Sequence, residues 1–142
     1  AYHEAGHAVA AYHLETQDRV QQVSVIARGM AAGMTWTRPD TEDSHMTKTK
    51  LLETIVMMMG GRAGEAVALD DICTGASNDI ERATALARNM VTQYGMSDRF
   101  GLMGLATVES QYLEGRTVLN CSDVTAAAIQ HAKELLRPVV TK

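Results

Sequence analysis

A length of 142 residues predicts one domain, 1–142, that can bury a core without disulfide or metal staples. Hydrophobic content of 46% and charged content of 21% are ordinary for a globular protein. A net charge of −4 leaves no basic footprint for nucleic acid or an anionic membrane, and 4% aromatics leave no stacking platform for bases.

The first predicted element is an alanine-rich helix from Ala1 to about Glu15. It carries His3, Glu4, Ala5, Gly6 and His7, an H-E-x-x-H sequence. A helix sets residues i and i+4 on one face, one turn apart. Two imidazoles so placed can bind one Zn2+ at about 2.0–2.1 Å each, and the Glu beside the first can act on a water at that metal. Small residues at Ala10 or Ala11 continue the face and leave room. Gly6 costs a helix roughly 1 kcal/mol against Ala, so its use predicts close approach of another element. Val20–Ile26 alternates loosely through Val23 and Val25 and predicts a strand. A glycine-containing turn at Arg28–Gly33 follows, then a second short strand, Met34–Arg38, ended by Pro39. Asp40–His45 is a polar loop.

Thr47 is the expected N-cap of a helix with apolar positions at Leu51, Leu52, Ile55, Val56 and Met59. Its pattern runs through Gly60 and Gly61, where two backbones can pack closely, to about Leu69. Met57, Met58 and Met59 read as flexible core filling. A loop over Asp70–Ala76 leads to Ser77, the expected cap of a long helix with Ile80, Ala83, Ala87, Met90, Val91 and Tyr94 at helical spacing. Gly95 closes it. Gly101–Val108 reads as loop with a possible strand, and Ser122 starts a last helix through Ala126, Ile129, Ala132 and Leu136, stopped by Pro138. The expected fold class is therefore mostly α with a small β-sheet near the first helix.

Cys73 and Cys121 lie far apart and in no C-x-x-C arrangement, which supports neither a disulfide framework nor a second metal site and makes a reducing compartment the default. No apolar run approaches the ~20 residues of a spanning helix. A metal motif starting at the third residue predicts an excised domain whose parent continues upstream.

A catalytic zinc site takes three protein ligands and keeps a position for water. Asp79 lies near the start of a helix, where the dipole favours an ionised carboxylate, and helix-start stabilisation is its plainer role. Glu65, on the second long helix, would mimic zincins that recruit a glutamate from a later helix; a solvated face is its plainer role. His13, His45 and His131 stand without motif context. Spacing alone does not choose among these.

AYHEAGH at Ala1–His7, IARGMAAGMTWTRP at Ile26–Pro39, MGGRAGE at Met59–Glu65 and TGASNDIERATALARNMVTQYGMS at Thr74–Ser97 together resemble the peptidase domain of FtsH-type ATP-dependent zinc metalloproteases. The resemblance runs in order over nearly the whole chain, and the TGASND segment is far more specific than H-E-x-x-H. It implies a zincin-like metallopeptidase fold with Zn2+ held by His3, His7 and Asp79, and Glu4 as the catalytic glutamate. Gly33, Met34, Thr35, Trp36 and Thr37 match an edge strand that holds substrate. The implied activity is endopeptidase cleavage of unfolded or extended polypeptides. The implied parent is a hexamer with an upstream ATPase domain, anchored in a membrane and facing the cytoplasm of bacteria or an organelle interior. An inactive homologue used as an assembly module and a zinc amidase for small molecules are the rival readings.

The sequence also departs from the family pattern. One acidic residue stands at Glu65-Ala66 where the family usually has two, the loop before Cys73 is short, and the helices that extend the domain are not found after Lys142. No G-x-x-x-x-G-K-[ST] occurs in the chain.

Overall fold

The computed structural model describes residues 1–25, 34–38, 45–109 and 116–130. Within them the chain forms two compact units, Ala1–Ala83 and Thr84–Lys142. The regular structure is mostly helical.

In the first unit, helix α1 covers Tyr2–His13 and helix α2 covers Lys48–Leu69. Thr47 caps α2 as its sequence predicts, its hydroxyl accepting the Lys50 N–H at 3.2 Å. Leu51, Ile55 and Met58 are the buried apolar positions of α2, and Ala11 is that of α1.

The two helices meet backbone to backbone. A Cβ on Gly6 would run into the Gly60 carbonyl, one on Gly60 would lie 2.7 Å from the Gly6 carbonyl oxygen, and one on Gly64 would lie 2.7 Å from that of Tyr2. Beyond the helix, the Thr16 N–H and hydroxyl both donate to Glu53 Oε2, at 2.8 and 2.5 Å. Gln17 Nε2 donates to the Lys50 carbonyl at 3.2 Å. Contacts that climb α1 thus descend α2, so the pair is antiparallel. The expected close approach at Gly6 and at Gly60-Gly61 is one contact, each glycine serving the other.

Strands β1, Arg19–Ser24, and β2, Met34–Arg38, pair antiparallel, with Val23 opposite Thr35 and Gln22 opposite Trp36. The register shifts between Val20 and Gln22, a bulge in β1. Both strands lie against α1. Ile26, the turn through Gly33 and most of the polar loop before His45 fall outside the described residues.

After α2, Asp70 turns the chain in the left-handed region, at φ 51°, a conformation that Asp tolerates better than most residues. A single 3-10 turn, Thr74–Ala76, then runs directly into helix α3, Ser77–Thr92. Ser77 is therefore not the cap its sequence predicts. It already has helical backbone angles, φ −59° and ψ −43°, and its N–H bonds to the Thr74 carbonyl. The cap lies at Cys73, extended at φ −118° and ψ 170°, whose Sγ accepts the Gly75 N–H at 3.4 Å.

Ala83, Ala87, Met90 and Val91 of α3 are buried as their spacing predicts, while Ile80 and Tyr94 are exposed. Beyond α3, Gly95 sits at φ 61°, the left-handed turn expected of it. In the second unit, β3, Ala106–Glu109, pairs antiparallel with β4, Arg116–Leu119. The sequence pattern hinted at the first strand and missed the second. A four-residue strand without clear alternation becomes legible only beside its partner. Buried Val91 and Leu105 gather Phe100, Leu119 and Cys121 around them. Helix α4, Asp123–Gln130, starts where expected, with the Ser122 hydroxyl accepting the Thr125 N–H at 3.3 Å. Ala132, Leu136, Pro138 and His131 lie outside the described residues.

Candidate metal centre

His3 and His7 project from one face of α1 as i, i+4 residues, toward α2. Each imidazole is held on its Nδ1 side by α2. His7 Nδ1 donates to the Met57 carbonyl at 2.8 Å, and His3 Nδ1 donates to Glu65 Oε1 at 3.1 Å. A carbonyl can only accept, so the His7 proton is on Nδ1. Glu65 is buried at 4% exposure. Its carboxyl is held below the usual carboxylate range, chiefly by a hydrogen bond from the Cys73 thiol. The Cys73 N–H and His3 add to this, against the opposing cost of burial. An ionised Glu65 likewise requires the His3 proton on Nδ1.

In the neutral form of the rings, with the proton on Nδ1, each Nε2 presents a lone pair. These two nitrogens lie 3.0 Å apart. Asp79 Oδ2, from the first turn of α3, lies 3.2 Å from His3 Nε2 and 3.3 Å from His7 Nε2. Two lone pairs and a carboxylate oxygen at this range repel one another unless a proton or a metal cation sits among them, and three converging donors suit the metal. A tetrahedral ion with bonds of about 2.0–2.1 Å keeps its donors about 3.3–3.4 Å apart, close to the triangle observed. His3, His7 and Asp79 are also the one group among the described residues whose ligand atoms converge in this way. The donor set, two neutral imidazoles and one carboxylate, suits Zn2+.

Gly61 borders the triangle. A Cβ there would sit 2.5 Å from His7 Nε2 and 2.7 Å from His3 Nε2, so no other residue type leaves these nitrogens in place. The glycine pair serves two purposes: Gly60 admits the backbone of α1, and Gly61 admits its imidazoles.

Glu4 neighbours His3 on α1 and is held from the sheet. Thr35 Oγ1, on β2, donates to Glu4 Oε2 at 2.9 Å and lies 3.2 Å from the Glu4 carbonyl. Met34, Trp36 and Thr37 share strand β2 with Thr35, and Gly33 lies outside the described residues. His13 is exposed at the end of α1, against the Tyr12 ring, and His45 is exposed before α2.

Sequence reasoning missed what surrounds the donors. Glu65 does not lie on a solvated face; it is buried against His3 from the side away from the triangle. The Met57 carbonyl is backbone and leaves no trace in residue type. One signal was present: Gly61 and Glu65 are four apart on α2, which puts a missing side chain and a carboxylate on the same face.

Residues 1–141 match the peptidase family M41. The chain belongs to that family. This M41 chain is 49% identical over 128 residues to an ATP-dependent zinc metalloprotease FtsH of Clostridium perfringens, covering 89% of this chain and 18% of that protein. It is 44% identical over 140 residues to the protein of the same name from Rubrobacter xylanophilus, covering 98% and 22%. Against that of Thermus thermophilus the identity is 44% over 133 residues, covering 93% and 21%. The M41 chain thus spans about a fifth of the length of the curated relatives it matches. No helix among the described residues is long and apolar enough to cross a membrane.

Proposed function

We propose that residues 1–142 are the zincin-like peptidase domain of a longer protein and hydrolyse peptide bonds of extended polypeptide with Zn2+ held by His3, His7 and Asp79. The observation that carries this reading is the convergence of Asp79 Oδ2, from α3, with the Nε2 atoms of His3 and His7 within 3.0–3.3 Å, the two histidines standing on the helix that also bears Glu4. When bound, zinc lowers the pKa of a coordinated water toward neutrality and polarises the scissile carbonyl.

Glu4 is the general base in this reading. It takes the proton of the attacking water and returns it to the leaving amine. The Thr35 hydroxyl holds one Glu4 oxygen at 2.9 Å and leaves the other for that proton. Strand β2 supplies the platform. Among the described residues it pairs on one side only, with β1, so its other edge can take an extended substrate through main-chain hydrogen bonds. Thr35 would then tie the substrate strand to the base.

The relatives are named ATP-dependent, and each is several times longer than this chain. We propose accordingly that the domain is the proteolytic part of an ATP-dependent protease. The upstream ATPase domain, hexameric assembly and membrane anchor of the parent belong to the same proposal.

The test is Glu4→Gln, which keeps the shape of the side chain and cannot accept the proton. Zinc content should be unchanged, while cleavage of a flexible peptide should fall by about 10²–10⁴-fold. A chelator should abolish cleavage by the parent chain. A loss below about tenfold with Glu4→Gln would remove Glu4 from the role of base.

A further inference from the structure

Cys73 carries no recognisable motif, yet it touches both routes by which the metal donors are placed. Its thiol donates to Glu65 Oε1 at 2.9 Å, the same oxygen that accepts His3 Nδ1 at 3.1 Å. Its N–H lies 3.5 Å from the other carboxylate oxygen, Oε2. Its sulfur accepts the Gly75 N–H at 3.4 Å and so caps the turn that launches α3, which carries Asp79.

We propose that Cys73 is a positioning residue of the metal centre, its thiol proton fixing the Glu65 carboxylate that in turn fixes the His3 ring. The proposal rests on His3, His7 and Asp79 being the ligand set. A glutamate has three side-chain torsions, and one hydrogen bond to an imidazole does not hold its carboxylate plane. The thiol supplies the second point of attachment, from the opposite chain segment. Outer partners of a ligating histidine set its ring orientation and basicity, and losing one typically costs 10–100-fold in metal affinity. Cys73 acts one bond further out, so its effect falls near the lower end.

A capping role alone would use only the lone pairs of sulfur, whereas positioning Glu65 uses its proton. Three variants of the chain separate the two. Cys73→Ser keeps donor and acceptor, Cys73→Asp keeps an acceptor and sets a second carboxylate against Glu65, and Cys73→Ala has neither. Zn2+ dissociation constants from chelator competition are read beside the melting temperature of the metal-free protein and the NMR resonance of the His3 Nδ1 proton.

Cys73→Ser should bind Zn2+ within about threefold of the parent, and Cys73→Ala about tenfold more weakly. Cys73→Asp should bind more weakly still, although its metal-free form melts above that of Cys73→Ala. The His3 proton resonance should move in the Ala and Asp variants and stay in place with Ser. Zn2+ affinity that follows melting temperature, with Asp equal to Ser, would reduce Cys73 to a cap and overturn the proposal. Affinity unchanged in all three variants would overturn it as well. Asp79→Asn, run in parallel, identifies the other failure: undiminished Zn2+ affinity there would overturn the ligand set, and the role of Cys73 with it.

Discussion

The histidine side and the aspartate side of the candidate metal centre are built by different means. His3 and His7 stand on a long helix pressed backbone to backbone against another, and both rings are hydrogen-bonded to α2 on the side away from the donor triangle. Asp79 arrives from the first turn of α3, after a short loop and a single 3-10 turn anchored through Cys73 and Glu65. Close helix packing fixes two donors within a rigid pair at little conformational cost, since the helices are ordered regardless. A loop-borne donor needs its own anchors. The contrast predicts that the histidine side fails through steric substitutions and the aspartate side through loss of charge or hydrogen bonds.

The sharpest steric test is Gly61→Ala. Its new Cβ would lie under 3 Å from Nε2 of both imidazoles, so the two rings must shift together. Zn2+ affinity should fall by more than the roughly 100-fold upper range for losing an outer partner, with helical circular dichroism retained. Unchanged affinity would show that the histidine side is soft and would erase the contrast.

On the aspartate side, Asp79→Asn removes the negative donor and should also cost more than about 100-fold in Zn2+ affinity. Glu65→Gln retains an acceptor for His3 Nδ1 and should cost nearer tenfold. Chelator competition measures both. A larger loss for Glu65→Gln than for Asp79→Asn would exchange the roles of ligand and orienting group.

Gly6→Ala tests the helix contact away from the metal. The clash is with the Gly60 carbonyl, backbone against backbone, so relaxation must move a helix. Better helix propensity returns up to about 1 kcal/mol, against an overpacking cost of typically 1–3 kcal/mol or more. A lower urea midpoint is the expected outcome, and an unchanged midpoint would show that α1 can slide on α2. The smallest effect is that of Thr35→Val, which removes the hydroxyl donor to Glu4. Losing one such bond is worth about 1 kcal/mol, or roughly fivefold in peptide cleavage. Zinc affinity should stay level, and Thr35→Ser should restore the rate.

Much of the chain was legible in advance because its signals are local. H-E-x-x-H on a helix, Thr47 as a cap, the apolar spacing at Leu51 and Ile55, and the turn at Gly95 each depend on residues within a turn or two of one another. The centre's surroundings were not, because they join distant segments: Glu65 meets His3 across 62 positions and Cys73 across 8. Ser77 looked like a cap because its residue type allows it, and it is helical because the turn before it already supplies the hydrogen bonds. The short strand Arg116–Leu119 was missed for the same reason in reverse, having no local signal and a partner on a separate strand, Ala106–Glu109.

By itself the sequence determined that two imidazoles share one helical face with a carboxylate beside them, since helical periodicity alone imposes that. Its glycines also pointed to close approach of another element at Gly6 and at Gly60-Gly61. Residue spacing left Asp79 and Glu65 as rivals and the family resemblance pointed to Asp79; only the tertiary structure brings Asp79 to the triangle and sets Glu65 behind His3. Both are carboxylates within reach of a helix face, and their spacing from His3 and His7 does not choose between them. Packing α1 on α2 turns Glu65 toward Nδ1 of His3, while the turn after Cys73 delivers Asp79 to the Nε2 side, where the lone pairs are.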